Sequence, residues 1–278
     1  MGEEKVIKSP LKYQGSKLKL IPWIKEVLQF DPSNQSWVEP FMGSGVVGLN
    51  MGAEVAHVND INEHVIKLFT MMHDKSYFLD GMEATLKTHD KMLSRYGEEY
   101  YYEMRENFNE NFNPNTLLFL NHTCFNGVMR FNKKGKFNVP YGKNPNKLSE
   151  SNRESIYTRL RQAQEITKNW HFYSEDYKSI ITGAGVDDLI YLDPPYIDRV
   201  SNYYNSWTEE NEKELHELLS TTKARVAVST WYEANGEKNN YVESLWGNYK
   251  LHKKDHRYSV GQTKVNRYPV VEVLLTNF

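Results

Sequence analysis

Ser36-Trp37-Val38-Glu39-Pro40-Phe41-Met42-Gly43-Ser44-Gly45 sets a short strand against a glycine turn, and an apolar-rich run from Val46 to Met51 follows. Gly52 fits a helix stop, and Glu54-Val55-Ala56-His57-Val58-Asn59-Asp60 is the next strand, ending in an acid. Strand, turn, helix, strand opens a doubly wound α/β fold with a parallel sheet. Glycines at such a turn let the backbone approach a ligand, and the helix behind them offers free N–H groups. Alone, this is weak support for a nucleotide site. Asp60 strengthens it, since a carboxylate at the tip of the second strand can accept hydrogen bonds from ribose hydroxyls. A helix N-cap in front of Ile61 is a compatible alternative use of Asp60.

Working outward, residues 61–120 look helical, with amphipathic runs over Ile61–Met72 and Phe78–Leu93 and an aromatic, polar run over Glu98–Asn109. From about 110 to 150 the pattern breaks into an Asn-, Gly- and Lys-rich segment with interleaved aromatics. Ser151–Thr167 returns to helix. Asp187–Asp193 is a short apolar strand ending in an acid, Glu209–Leu219 a helix with Thr208 as N-cap, and Arg225–Ser229 and Pro269–Leu275 further strands. The domain expectation is a catalytic unit formed by 1–60 and 165–278, interrupted by a recognition insertion over 61–164.

The chain has 278 residues, enough for one large α/β domain or one domain with a sizeable insertion. Its apolar share of 39% can build a core. No apolar run reaches the ~18 residues of a membrane span, and Met1–Lys8 lacks the apolar stretch of a signal peptide. The lone Cys124 allows no internal disulfide, and no Cys/His spacing suggests a metal site. A cytoplasmic protein without a metal is expected.

The net charge of −2 conceals a local bias. Asn111–Ser149 holds Arg130, Lys133, Lys134, Lys136, Lys143 and Lys147 and no acid. A second stretch holds Lys250, Lys253, Lys254, Arg257, Lys264 and Arg267 against Asp255. A polyanion is bound by a local field rather than by overall charge, so nucleic acid stays open as a partner. Two solvated basic loops are the plainer alternative.

Asp193-Pro194-Pro195-Tyr196 changes the weighting. Two prolines fix φ and remove two N–H donors, which leaves a rigid, acceptor-rich turn after a buried strand. The Asp193 carboxylate, the Pro194 carbonyl and the face of Tyr196 then complement a flat ring bearing an exocyclic amine with two donors.

With these motifs in this order, the chain resembles the Dam-type (D12 class, alpha group) DNA adenine-N6 methyltransferases over nearly its whole length. Lys12-Tyr13-Gln14-Gly15-Ser16-Lys17 resembles that family's N-terminal cofactor motif, and Glu39–Gly45 its glycine motif. Asn121–Gly127, Arg130-Phe131-Asn132 and Phe137–Gly142 resemble its DNA-reading hairpin. The resemblance implies a Rossmann-like methyltransferase sheet with helices on both faces, plus a small, mostly helical target-recognition insertion with a β-hairpin. It implies S-adenosyl-L-methionine as cofactor, with Tyr13, Gln14, Gly15, Lys17, Glu39, Phe41, Gly43, Asp60, Asp176 and Asp193 around it. Catalysis falls to Asp193, Pro194, Pro195 and Tyr196, with aromatics of the Ile197–Trp207 loop assisting the stack.

DNA contacts are expected from Lys12, Phe125, Asn126, Val128, Arg130, Asn132, Lys134, Pro140 and Tyr141. For Lys12 and Arg130, phosphate contact competes with base contact; Phe125 and Phe131 could instead be hairpin core. The substrate implied is double-stranded DNA, entered by base flipping, at a site containing GAT such as GATC. A cognate restriction endonuclease is a functional rather than physical partner, and a monomer is favoured over a stable dimer. Two departures stand out: Thr230–Gly236 is bulkier than the short polar segment expected there, and Val128 replaces a larger side chain. Cytosine-N4 methylation of DNA and adenine methylation of RNA are the rival activities, and a non-enzymatic nucleic-acid-binding module is the rival of another class.

Overall fold

The computed structural model describes residues 6–74, 76–197, 207–257 and 269–278. Its centre is one eight-stranded sheet. The strands are β1 (Ser36–Glu39), β2 (Ala56–Asn59), β3 (Trp170–Tyr173), β4 (Asp188–Leu192), β5 (Arg225–Ala234), β6 (Glu237–Lys238), β7 (Lys250–Arg257) and β8 (Pro269–Thr276). They lie in the order β3-β2-β1-β4-β5-β8-β7, with β6 paired to the end of β5. The first five strands run parallel, and β8 runs antiparallel to both β5 and β7. The direction of winding reverses between β1 and β4. Open α/β sheets bind ligands at the carboxyl ends of the strands at such a reversal.

Alternation along the strands gives the sheet two faces, each with its own core. Trp37, Leu189, Tyr191, Ala227 and Leu274 face one side, where α1 (Ile21–Leu28), α2 (Gly48–Met51) and α3 (Glu63–Asp74) pack. Val38, Ile190, Leu192, Val226, Val228, Val273 and Leu275 face the other. That side is covered by α8 (Tyr177–Thr182), α9 (Glu209–Thr221) and α10 (Asn240–Ser244). Burial on both faces explains why β4 is a continuous apolar run.

The remaining helices are α4 (Ser76–Tyr96), α5 (Glu98–Asn111), α6 (Pro114–Thr123) and α7 (Glu150–Ile166). Their core is continuous with that of the sheet. The expected boundary at residue 61 falls inside this packing, because α3 lies on the sheet: Phe69 meets Phe172 of β3 at 6.0 Å between ring centroids.

Several expectations of local structure are met. Thr208 caps α9 in a capping box with Asn211, and Gly52 ends α2 at φ 76°. Others are corrected. Asn121-His122-Thr123 ends helix α6 rather than opening a hairpin, and every residue from Thr116 to Thr123 is buried. The unexpectedly bulky Thr230–Ala234 is the continuation of β5, and Asn235-Gly236 turns it into β6. The basic stretch from Lys250 to Arg257 is a strand, β7. Lys264, Arg267 and the side chain of Arg257 lie outside the described residues.

Candidate active site and nucleic-acid interface

Three acids end or follow adjacent parallel strands: Glu39 at the end of β1, Asp60 after β2 and Asp193 after β4. Strand order alone therefore gathers them at the winding reversal. A cavity of about 240 Å³ opens there, and all ten residues expected around a cofactor line it: Tyr13, Gln14, Gly15, Lys17, Glu39, Phe41, Gly43, Asp60, Asp176 and Asp193.

Each acid is held differently. Glu39 is 1% exposed, and its Oε2 accepts from Trp37 Nε1 at 2.9 Å and from the Gly48 amide at 3.1 Å. Burial outweighs these bonds and pushes its carboxyl up to about 8. Asp60 accepts from the Gly43 amide at 2.7 Å and the Asn62 amide at 2.8 Å. Burial pushes it up to about 6 against those bonds. Asp60 thus ties the glycine turn to the loop before α3. The cap at the head of α3 is supplied instead by Asn62, whose Oδ1 accepts from the His64 amide at 3.2 Å.

Glycine is required at the turn. Gly43 has φ +51°, and a Cβ there would stand 3.4 Å from the Tyr13 ring. A Cβ on Gly45, at φ +69°, would stand 2.7 Å from Met42 Cε. On the far wall, Phe41, Tyr177 and Trp207 form an aromatic cluster with centroids 5.1–5.7 Å apart. Asp176, exposed, caps α8 through the Lys178 amide.

Asp193 is half-buried and paired with Lys17, whose Nζ stands 2.9 Å from Asp193 Oδ1 while Lys17 itself is 3% exposed. Burial raises the Asp193 carboxyl above its ordinary range, and the Lys17 ammonium opposes that rise. The same ammonium lies 4.9 Å from the centroid of the Tyr196 ring and donates to the Gly15 carbonyl at 3.3 Å. Tyr196 donates its hydroxyl to Glu272 Oε2 at 2.8 Å. Of the Ile197–Trp207 loop, residues 198–206 lie outside the described residues. Trp207 stands with Phe41 and Tyr177 on the cavity wall rather than beside Tyr196.

The sequence reading did not single out Tyr177, Asn211 or Glu272. Tyr177 and Asn211 line the cavity. Glu272 had a signal: it is an acid in the middle of an apolar strand, where a buried charge must find partners.

Eight of the nine residues expected to contact DNA lie on the hairpin between Phe125 and Tyr141. The hairpin is held by bridges between Cys124 and Tyr141 and between Phe131 and Phe137. Asn109 of α5 clamps it, accepting from the Phe137 amide at 2.7 Å and donating to the Phe137 carbonyl at 3.2 Å. Phe131 and Phe137 are core residues, whereas Phe125 is 38% exposed. Lys134, Asn126 and Pro140 are exposed, and Val128 is half-buried. Arg130 is bound across the hairpin to Asn138, through Nε to Oδ1 at 2.8 Å. Asn132 spends its Oδ1 on the amides of Lys134 and Lys136, which shapes the turn. Tyr141 is 7% exposed and packs on Tyr101 at 5.3 Å, so its ring lies beneath the hairpin surface.

Lys12 sits between hairpin and cavity. Its amide donates to Asn121 Oδ1 at 2.8 Å, its carbonyl accepts from Asn121 Nδ2 at 2.9 Å, and its Nζ reaches the His122 carbonyl at 3.3 Å. Burial and then the neighbouring Lys147 charge lower its pKa. Gly127, at φ +64°, makes room for it.

The sequence matches known proteins. The family model of the D12 class N6 adenine-specific DNA methyltransferases matches residues 13–260. Among relatives, the chain is 28% identical to modification methylase StsI of Streptococcus sanguinis and 27% identical to type II methyltransferase M.FokI of Planomicrobium okeanokoites. Those alignments cover 99% and 98% of this chain but 43% of each relative, so the chain spans less than half their length. It is 31% identical to the DNA adenine methylase of Escherichia coli strain K12, over 75% of this chain and 74% of that protein. The chain belongs to the D12 class N6 adenine-specific DNA methyltransferase family.

Proposed function

We propose that this protein transfers a methyl group from S-adenosyl-L-methionine to N6 of an adenine in double-stranded DNA. The observation that carries the proposal is the Lys17–Asp193 ion pair on the wall of the glycine-turn cavity, with the Tyr196 ring against the same ammonium. The cavity suits the cofactor. Phe41, Tyr177 and Trp207 offer an aromatic wall for a purine, and Asp60 and Glu39 offer carboxyl oxygens for hydroxyl and amino donors. Gly43 leaves the turn backbone open to close approach. When bound, the cofactor supplies a methyl group activated by a sulfonium.

The protein's share of the reaction is alignment. The target adenine, flipped out of the duplex, stacks on Tyr196. Asp193 and the Pro194 carbonyl accept the two amine hydrogens, with Pro195 keeping the turn rigid. Those bonds draw the nitrogen lone pair out of conjugation and aim it at the methyl carbon. Attack would form the N–C bond at the expense of the cofactor's S–C bond, whose electron pair would stay on sulfur as a neutral thioether, and the methylated amine would pass one proton through Asp193 to water. Positioning supplies most of the rate, and the negative oxygens stabilise charge growing on nitrogen. Lys17 keeps Asp193 ionised and oriented.

Lys12, Phe125, Asn126, Val128, Arg130, Asn132, Lys134 and Pro140 form the proposed DNA-facing set, and Tyr141, expected there from the sequence, supports the hairpin from beneath. Lys12, Arg130 and Pro140 favour a site containing GAT, such as GATC. Phe125 carries the role of inserting ring, being the exposed aromatic of the hairpin. A monomer acting on one strand at a time, with a cognate endonuclease as functional counterpart only, is the accompanying expectation. Among the described residues no helix is long and apolar enough to cross a membrane.

The test is nucleoside mass spectrometry of duplex DNA incubated with the protein and S-adenosylmethionine. N6-methyladenine is expected, and Asp193→Ala should abolish it while DNA affinity stays within a few-fold. N4-methylcytosine as the product, or unchanged turnover in Asp193→Ala, would sink the proposal. Cleavage of the treated DNA by a nuclease blocked by GATC methylation excludes that site.

A further inference from the structure

Glu272 lies on β8, beyond residue 260 where the family match ends, and takes no part in the mechanism above. It is an acid in Pro269-Val270-Val271-Glu272-Val273-Leu274-Leu275, and it is fully buried. A buried carboxylate in an apolar strand is costly unless it is hydrogen-bonded, so its partners mark what it is for. Its Oε2 accepts the Tyr196 hydroxyl at 2.8 Å, a charge-assisted bond. The backbone beneath it is fixed on both flanks, by pairing with Trp231 of β5 and with Lys254 of β7. The ring it holds is the one that lies over Lys17 Nζ, and that ammonium in turn holds Asp193.

Resting on the proposed methyl transfer, we infer that Glu272 is a positioning residue: from the antiparallel strand it fixes the Tyr196 ring through its hydroxyl and so sets the plane on which the flipped adenine stacks. Tyr196 is half-buried and follows two prolines. The prolines fix its backbone, but they leave rotation about its side-chain bonds free. The bond to Glu272 removes that freedom at the far end of the ring. The hydroxyl, held between Glu272 and the Asp193 carboxylate, is thereby withheld from the base, so Tyr196 serves as a face rather than as a proton donor. Near-attack geometry tolerates little misplacement, and a loose stacking ring therefore costs rate more than binding.

The experiment is a double-mutant cycle on methyl transfer with Tyr196→Phe, Glu272→Leu and the pair, with Glu272→Gln as the conservative variant. The expected result is a fall in kcat on the order of tenfold for Tyr196→Phe and for Glu272→Leu, with KM for DNA within about twofold. The pair should be no worse than Tyr196→Phe alone, because a phenyl ring leaves Glu272 no hydroxyl to hold. Glu272→Gln keeps an acceptor oxygen and should retain most of the wild-type kcat. Additive losses, or kcat unchanged in Tyr196→Phe, overturn the inference. Should Glu272→Leu fail to fold, Tyr196→Phe and Glu272→Gln decide: a fall in the first with retention in the second supports the role, and any other pairing overturns it. A wild-type protein that makes no N6-methyladenine defeats the proposed function itself, whereas an active protein with additive losses defeats only the role of Glu272.

Discussion

The Lys17 ammonium stands 2.9 Å from Asp193 Oδ1, in a side chain that is 3% exposed. Removing it leaves the half-buried carboxylate with no counter-charge from that side, so burial acts on Asp193 against the Tyr196 hydrogen bond alone. Lys17→Met should lower kcat by roughly a hundredfold, with DNA affinity retained. The sign of the pH effect follows. Asp193 accepts an amine hydrogen more strongly when ionised, so activity falls as pH drops through its pKa. Without Lys17 that pKa rises, and the acidic limb of the kcat profile should move to higher pH. A mutant profile superimposable on that of the wild type would contradict this pairing.

Glu39 affects stability in the opposite sense to a surface carboxylate. Its folded-state carboxyl is pushed up to about 8 from an ordinary 4.5. The folded protein therefore holds a proton that the unfolded chain has lost across this interval. Its contribution is fully present below the unfolded value and is lost as pH rises through the folded one. Thermal unfolding should thus show Tm falling between about pH 5 and about pH 8.5, with Glu39→Gln flattening the slope. An equal slope in both proteins would show that Glu39 does not titrate there.

Glu212 of α9 takes two indole donors: Trp207 Nε1 at 2.6 Å on one oxygen and Trp246 Nε1 at 2.9 Å on the other. Trp246 is core and Trp207 is cavity wall, so one carboxylate joins them. Glu212→Leu should cost about 2–4 kcal/mol of stability by denaturant titration, since two donors lose their acceptor. It should also weaken S-adenosylmethionine binding about tenfold in calorimetry, because Trp207 is freed from its place beside Phe41 and Tyr177. Undiminished affinity would take Trp207 out of the binding wall.

Gly127→Ala tests the seat of Lys12. A Cβ there would stand 2.5 Å from Lys12 Cδ, on a backbone already at φ +64°. The change should cost about 1–2 kcal/mol in backbone strain alone. It should also displace Lys12 and reduce discrimination among DNA sites, with cofactor affinity unaltered. Comparison of methylation rates on two site sequences, alongside calorimetry, separates those effects.

Much of the architecture was legible because burial leaves a period in the sequence. β1, β2, β4 and the front of β5 are short apolar runs ended by acids or turns, and the glycine turn announced itself by residue type. The parts that escaped lack such a period. Helix α6 is buried almost all round, so it shows no polar face to mark it as a helix, and asparagines flank it. β7 is an edge strand whose Lys250, Lys253, Lys254 and Asp255 are exposed, and it resembles a basic loop. The ten cavity residues were found by motif. The bonds among them were not, because Lys17 meets Asp193 only across 176 positions of chain. Tyr196 finds Glu272 across 76 more.

Asn121 brackets Lys12 on both sides of its peptide unit, giving one hydrogen bond and taking another from the same residue. Lys12 is followed directly by Tyr13, Gln14, Gly15 and Lys17, which line the cavity, and α6 leads directly into the hairpin. One carboxamide is therefore the rivet between the hairpin and the rim of the cavity. Any load placed on the hairpin that shifts α6 is delivered to the cavity rim with no slack between them. By reciprocity, filling the cavity must bear on the hairpin to the same degree in free energy.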